Sequence, residues 1–248
     1  FRCTLEHDPR SAGGLALRLG INSVRGLSDG VAQAIASNRP FTSMEDVVRK
    51  VPQLHIGQLE ALATAGVFTQ SFGHQRRDAL WSAGAVIQSR PGTLDGVTTG
   101  IESPYLPGMQ PMEEAVADLW ATGVSTSGHP TEFLRIELER MGVATAAQLP
   151  QRGAQGDEKV VVAGTVTHRQ RPMTAQGVTF INLEDETGHI NVVCSVGCWA
   201  RYRKAARGAG ALLVRGRLEV GDGGVINVVA EHIVPLRIAA QVAARNFR

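Results

Sequence analysis

Apolar residues recur at helical spacing between residues 15 and 90, and tight turns containing glycine separate the segments. The pattern predicts four short helices. The first begins after Ser28 as its N-cap, and residues 42–45 (Thr-Ser-Met-Glu) have the form of a capping box for the second. The third extends from about residue 56 to residue 64, and the fourth begins near residue 74. Their expected apolar faces contain Val31, Ala34, Ile35, Met44, Val47, Val48, Val51, Ile56, Leu59, Leu62, Leu80 and Trp81.

Proline and glycine are frequent in residues 89–112, a composition typical of a linker, and we expect some mobility there. Helices are predicted for about residues 112–121 and 131–141, with Gly123 and Gly142 as their C-terminal stops. From residue 159 the hydrophobic period becomes that of strands. Strand-like segments cover residues 160–166, 178–183, 189–194, 211–219 and 225–234, and a basic helix is expected at about residues 197–207.

Five strands with a helix between the third and the fourth is the order of an OB-fold barrel, with some other small β-barrel as the alternative. The predicted fold class is therefore α+β and multidomain. We expect a helical domain with tandem helix-hairpin-helix elements (residues 1–90), a proline-rich linker and helical connector (91–150), an OB-fold domain (151–237) and a C-terminal tail (238–248).

The chain has 248 residues and a net charge of +2, and this length suits two domains. No apolar run approaches the roughly 20 residues of a membrane span, and three cysteines are too few for a disulfide framework. We therefore expect a soluble, cytoplasmic protein without membrane contact. The first residue is Phe and no leader is recognisable, which favours a piece of a longer product.

Charge is distributed unevenly along the chain, because acidic residues predominate in residues 91–150 while the flanking segments are basic. Arginine accounts for 22 of the 25 basic residues, and its planar guanidinium suits phosphate contacts. The arginine bias of a GC-rich genome is the alternative explanation.

Gly26 and Gly66 each lie between two predicted helical segments, which is the plan of a helix-hairpin-helix. Backbone N–H groups of such a hairpin and of the helix that follows can hold a DNA phosphate without reading the base sequence. Ordinary helix turns with glycine C-caps are the alternative. The candidate duplex-phosphate residues are Gly26, Ser28, Gly30, Ala65, Gly66 and Val67.

OB-fold barrels bind single strands through basic side chains and stacking aromatic rings. The candidate single-strand residues are Arg169, Arg171, Phe180, Arg201, Arg203 and Lys204. The alternatives are that Phe180 points into the barrel core and that the basic residues of the predicted helix form only a solvated face.

No catalytic site and no metal site is predicted in this chain. Cys194, Cys198 and His189 lack a fourth ligand at zinc-site spacing. Residues 184–186 (Glu-Asp-Glu) hint at magnesium, but a hairpin turn is the favoured interpretation.

Residues 18–27, 40–46 and 59–68 resemble the tandem helix-hairpin-helix region of bacterial C-family replicative DNA polymerases. Residues 172–188, with 191–194 and 199–202, are similar to the error-prone (translesion) alpha-subunit type rather than to the main replicase. The resemblance covers about residues 1–237. It implies the C-terminal DNA-handling and partner-binding region of an error-prone polymerase used in SOS-induced translesion synthesis and damage-induced mutagenesis.

The resemblance also implies which parts of the enzyme this chain lacks. The family's catalytic carboxylates lie in an upstream palm, so Mg²⁺ and dNTPs belong to the parent polymerase, and this chain alone has no cofactor and no activity. Ser28 departs from the family hairpin, which often has a second glycine there, and this departure weakens the first phosphate site.

Implied partners are primer-template DNA, single-stranded template, an inactive Y-family-like accessory protein and the sliding clamp. Residues 241–248 lack the apolar-aromatic pairing of a clamp-binding peptide, so we expect the clamp to be reached through the accessory protein. The alternative function is a non-enzymatic OB-fold interaction module that recruits the polymerase to its accessory proteins. A DNA ligase would require a KxDG motif and a barrel that precedes the hairpins, and neither is present.

Overall fold

The computed structural model describes residues 1–89, 92, 100–153, 158–237 and 245–247. Residues 90–91 and 93–99 of the predicted linker, and most of the predicted tail with its clamp-peptide region, lie outside the described residues. The chain divides into two compact units, one of residues 1–110 and 117–124 and the other of residues 111–116 and 125–248. The domain boundaries proposed from the sequence stay a prediction. Within the described ranges, no helix has the length and apolarity needed to cross a membrane.

The first unit opens with an antiparallel hairpin of β1 (Thr4–His7) and β2 (Leu15–Arg18), which the hydrophobic pattern did not predict. Five short helices follow among the described residues: α1 (Asp29–Ser37), α2 (Met44–Lys50), α3 (Ile56–Thr64), α4 (Val67–Phe72) and α5 (Arg76–Val86). The next helix, α6 (Pro111–Thr122), is divided between the two units.

The predicted apolar stripe on α2 is buried and forms the centre of the helical core, together with side chains of α1, α3 and α5. Two expected core positions are wrong. Ile56 is 38% exposed because it is the first residue of α3, and Trp81 is 56% exposed because α5 packs through smaller side chains. The buried face of α5 consists of Ala79, Ser82, Ala83 and Val86.

Local hydrogen bonds set the starts of α1 and α2. The Val31 N–H donates to the Ser28 hydroxyl at 3.4 Å, which confirms Ser28 as the N-cap of α1. The predicted capping box of α2 is wrong by one residue, because the helix begins after Ser43 and the Asp46 carboxylate accepts from the Thr42 N–H at 3.0 Å.

Part of the proline-rich segment is held along α5. The Ser103 hydroxyl donates to the Asp78 carboxylate at 3.0 Å, and the Arg77 guanidinium donates to the Pro107 carbonyl at 2.9 Å. These bonds hold residues 103–107 against α5, and the expected mobility of the linker stays a prediction.

The second unit contains a closed barrel of five strands, β4 (Lys159–Gln170), β5 (Thr179–Asp185), β6 (Gly188–Cys194), β7 (Ala211–Val220) and β8 (Ile226–Pro235). Neighbours pair in the order β4-β5-β6-β8-β7, and β7 pairs back to β4, which closes the sheet. The basic helix α9 (Val196–Gly208) connects β6 to β7, as predicted. The predicted fold class is therefore confirmed: helix-hairpin-helix elements, a helical connector and an OB-fold barrel.

Short elements lie outside the barrel. A 3₁₀ turn (Glu132–Leu134) leads into α7 (Arg135–Arg140), and β3 (Val143–Ala144) and α8 (Leu149–Gly153) follow. β3 pairs in parallel with Val161 and Val162 of β4, and β9 (Arg245–Phe247) pairs in parallel with the end of β4. Gly123 and Gly142 take positive φ angles of 78° and 74° after their helices, as their predicted role as helix stops requires.

Candidate nucleic-acid interface

The first predicted hairpin is an exposed turn that leads into α1. Gly26 has a φ of 76°, which only glycine adopts readily, and it is exposed together with Ser28 and Gly30. The incoming segment is a single 3₁₀ turn (Ile21–Ser23) rather than the expected helix. Asp29, the first residue of α1, places a carboxylate at the helix N-terminus, which opposes phosphate binding at that end.

A second exposed turn, which the sequence analysis missed, lies directly beside the first. It joins α2 to α3 through residues 51–55, with Pro52, Gln53 and His55 exposed. The side chain of Gln58 holds the two turns together, because its amide nitrogen donates to the Gly26 carbonyl at 2.9 Å while its carbonyl oxygen accepts from the His55 N–H at 3.3 Å.

The start of α3 suits an anion better than the start of α1. No acidic residue occurs in the first turn of α3, and its second residue, Gly57, is exposed. The unpaired N–H dipoles of a helix N-terminus favour a phosphate there. The turn escaped the sequence analysis because it contains no glycine between the two helices; the available signal was Gln58 three residues after His55, the spacing of a capping interaction.

The predicted hairpin at Gly66 is half-buried and is filled by an arginine. Gly66 has a φ of 73°, and a Cβ built on it would lie 2.9 Å from Nε of Arg76. The Arg76 guanidinium donates to the Thr64 carbonyl at 3.2 Å and pairs with the Asp118 carboxylate at 2.7 Å. Ala65, Gly66 and Val67 are therefore less accessible than Gly26, Ser28 and Gly30, and whether either set contacts DNA stays a prediction.

In the barrel, the strand register brings two of the predicted single-strand residues to one end. Phe180 lies opposite Gln170 on β4, and Arg171 immediately follows that strand. Phe180 points out of the barrel and is 39% exposed, so its ring is available for stacking. Arg171 extends along the loop to β5, where its Nη2 would lie 3.3 Å from a Cβ built on Gly177.

The helix α9 starts beside the same strand ends, because Cys194 at the end of β6 pairs with Thr179. Arg201, Arg203 and Lys204 are exposed on α9, whereas Trp199 and Tyr202 are partly buried against the barrel core. A groove of about 670 Å³ borders the helix, with Arg201 and Lys204 on its lining and Pro235 and Leu236 among its apolar residues.

The structure places Arg169 beneath α9 rather than on the surface, and this corrects its assignment to single-strand contact. The residue is only 5% exposed, and its guanidinium donates to the carbonyls of Ala206 and Ala209 at 2.6 and 2.5 Å. Burial lowers the pKa of Arg169 to about 10, so the side chain is still charged at neutral pH. Arg169 thus holds the C-terminal end of α9 on the barrel.

The acidic turn between β5 and β6 fastens residues 129–146 to the barrel. Arg135 forms a two-pronged ion pair with Glu186 at 2.5 and 2.8 Å, and the Thr131 hydroxyl donates to the same carboxylate at 2.6 Å. Burial acts to raise the pKa of Glu186, but Arg135 and Thr131 outweigh it and hold that pKa below its ordinary value. Asp185 accepts from the Ala146 N–H at 2.8 Å.

These partners show that the acidic turn is used in protein contacts and does not fit a magnesium site. Among the described residues, no three or more His, Cys, Asp or Glu side chains are grouped so as to hold a metal ion.

Two family models match the chain. A helix-hairpin-helix motif model matches residues 1–79, and an OB-fold nucleic acid binding domain model matches residues 160–236. The first match includes both exposed turns and the Gly66 hairpin, and the second covers all five barrel strands except Lys159.

Curated relatives are similar over nearly the whole chain. The error-prone DNA polymerase of Mycolicibacterium paratuberculosis is 48% identical over 250 residues, and that of Mycobacterium tuberculosis is 49% identical over 250 residues, each match covering 99% of this chain. The error-prone DNA polymerase of Nocardia farcinica is 47% identical over 247 residues, covering 95% of this chain. The chain spans only about 21–22% of the length of these relatives, at their C-terminal end.

A solved structure of asparaginyl-tRNA synthetase from Pyrococcus horikoshii matches 41% of this chain and 24% of its own, with 18% identity and a TM-score of 0.31.

Proposed function

Because this chain corresponds to the C-terminal region of error-prone DNA polymerases, we propose that it holds the DNA substrate of such an enzyme by its phosphates. The observation that carries the proposal is the Gln58 bridge, which joins two exposed turns of the helix-hairpin-helix unit side by side. The whole protein would be a DNA-directed DNA polymerase, with its catalytic palm, Mg²⁺ and dNTPs outside this chain.

In the first unit, we propose that duplex phosphates lie against the turn at Gly26 and the start of α3 at Gly57. Backbone N–H groups make such contacts without reading sequence, as a polymerase that moves along DNA requires. The contribution of the Gly66 hairpin is smaller in this proposal, since Arg76 already fills it.

In the second unit, the proposed single-strand contacts are Arg171 and Phe180 at the barrel end and Arg201, Arg203 and Lys204 on α9. Exposed cations would follow the phosphates while the Phe180 ring stacks on a base. Arg169 is omitted because its guanidinium is bound to backbone carbonyls.

The finer parts of the proposal rest on the similarity to error-prone polymerases. We propose that the parent enzyme performs translesion synthesis during the SOS response and thereby causes damage-induced mutagenesis. An inactive Y-family-like accessory protein would be its partner, and the sliding clamp would be reached through that protein. Cytoplasmic location stays a prediction.

The proposed single-strand interface is tested by removing its helix cations. The triple variant Arg201→Ala/Arg203→Ala/Lys204→Ala is compared with Arg140→Ala/Arg215→Ala/Arg237→Ala, which removes the same charge from exposed positions elsewhere in the second unit. Fluorescence anisotropy with labelled single-stranded DNA gives the affinity over a salt series. We expect the α9 variant to lose affinity and to reduce the salt slope by about 2, since each lost phosphate contact contributes about 0.7.

Equal losses in the two triple variants would mean a non-specific charge effect and would contradict the assignment to α9. Unchanged affinity in both would favour the alternative function, in which the barrel recruits protein partners rather than DNA.

A further inference from the structure

The hairpin of β1 and β2 carries its apolar side chains on the face that points to solvent. Leu5 lies directly opposite Leu17, and His7 lies opposite Leu15, so the three leucines share one face of the two-stranded sheet. They are 69%, 61% and 52% exposed, respectively. No residue of either strand is buried.

The opposite face of the hairpin carries Thr4, Glu6, Ala16 and Arg18, which are exposed or half-buried. Glu6 and Arg18 form an ion pair on that face. Both residues line a groove of about 860 Å³ whose other walls include Phe41, Gly66 and Phe72. The hairpin thus leaves its leucine face uncovered, whereas a sheet usually packs its apolar face against the body of the protein.

A two-stranded hairpin of this kind has little stability by itself, because it buries too little apolar surface. Single exposed leucines are common on protein surfaces, whereas three on one side of one hairpin form a contiguous apolar patch of the kind that marks an interface. Among the described residues of the first unit, none covers this leucine face.

We propose that Leu5, Leu15 and Leu17 dock onto the polypeptide that precedes this region in the longer polymerase chain. The relatives are between four and five times longer than the matched segment, and the match lies at their C-terminal end, so most of their chain precedes the hairpin. The inference rests on the family correspondence and is independent of the proposed DNA contacts.

The test compares cysteine reactivity in this chain and in the full-length protein, without DNA. Leu17→Cys and Leu5→Cys probe the leucine face, and Arg10→Cys in the polar loop of the same hairpin is the matched control, since its side chain is 89% exposed. Pulsed maleimide labelling, mapped by mass spectrometry, gives the rate at each position. Hydrogen exchange of the backbone amides at residues 4–7 and 15–18 in the unsubstituted proteins measures protection of the hairpin without any cysteine substitution.

Docking predicts that cysteines at both leucine positions are labelled about tenfold more slowly in the full-length protein than in this chain, because the docked face must open before the maleimide can react. The control Arg10→Cys should be labelled at similar rates in both proteins. The amides of both strands should likewise exchange more slowly in the full-length protein. Equal labelling of the leucine face in the two proteins would overturn the proposal. Protection that appears in this chain as its concentration rises would overturn the proposal and assign the face to a second copy instead.

Discussion

At the scale of single residues, neighbouring basic side chains have different surroundings that composition and spacing do not distinguish. Arg169 and Arg171 lie two positions apart, yet β4 ends between them, so Arg169 is covered by α9 while Arg171 extends along a loop. The sequence predicted both as nucleic-acid contacts because it contains no local signal for which arginine a distant helix covers. The orientation of Phe180, in contrast, follows from the alternation of side chains along β5. Its neighbours Thr179 and Ile181 are buried, so Phe180 points outward.

We predict that Arg169→Met destabilises the barrel unit by about 2–3 kcal/mol, because the carbonyls of Ala206 and Ala209 lose a charged donor in a buried site. Urea unfolding measures this loss. The control Arg171→Met, at an exposed position, should change stability by less than about 0.5 kcal/mol. Equal effects of the two substitutions would contradict the structural role of Arg169.

A second residue-scale prediction concerns pH. Burial lowers the pKa of His129 below its ordinary value, against the attraction of Glu184, Glu186, Asp185 and Glu132. The unfolded chain therefore binds more protons than the folded protein between the lowered pKa and the ordinary value near 6.5, so stability rises with pH through that interval.

The measurement is the urea midpoint between about pH 5 and pH 7, the interval in which an ordinary histidine titrates. His129→Gln should show a smaller rise with pH than the unsubstituted chain, whereas His189→Gln, at an exposed position on β6, should keep the full rise. A pH dependence unaffected by His129→Gln would show that other groups control it.

At the scale of elements, the parts that the sequence predicted are those with local signals. The starts of α1 and α2 follow serine caps to within one residue, and the five barrel strands follow their period. The hairpin of β1 and β2 was missed because each strand has only four residues and the first three of β2 are all apolar, so it shows no alternation. The turn between α2 and α3 was missed because it lacks glycine, the residue that marks the other two turns in the sequence.

The importance of the start of α3 is tested with Gly57→Asp. A carboxylate in the first turn favours the helix through its dipole, so stability should not fall, but the same charge repels a phosphate. We expect affinity for duplex DNA to decrease while the urea midpoint is unchanged or raised. The matched control is Gly84→Asp, which adds the same charge at an exposed, open position of α5. Equal affinity in the two variants would exclude α3 from the duplex interface.

At the scale of the whole molecule, the chain combines two units whose family models are a helix-hairpin-helix motif and an OB-fold nucleic acid binding domain. Basic segments flank an acidic middle segment, and the positions of the charged residues in the sequence show this pattern directly. The contacts that hold residues 129–146 on the barrel could not be predicted from the sequence. The pairing of Arg135 with Glu186, for example, joins positions 51 residues apart. Only the folded chain brings such partners together.

We propose that this chain binds DNA through its phosphates, and the salt dependence of its affinity for primer-template DNA tests this proposal. Phosphate contacts predict measurable binding at about 50 mM salt and a log-log slope of about −3 or steeper, as expected when several phosphates release counterions. Failure to bind at that salt concentration, or an affinity that does not change with salt, would show that these contacts do not form.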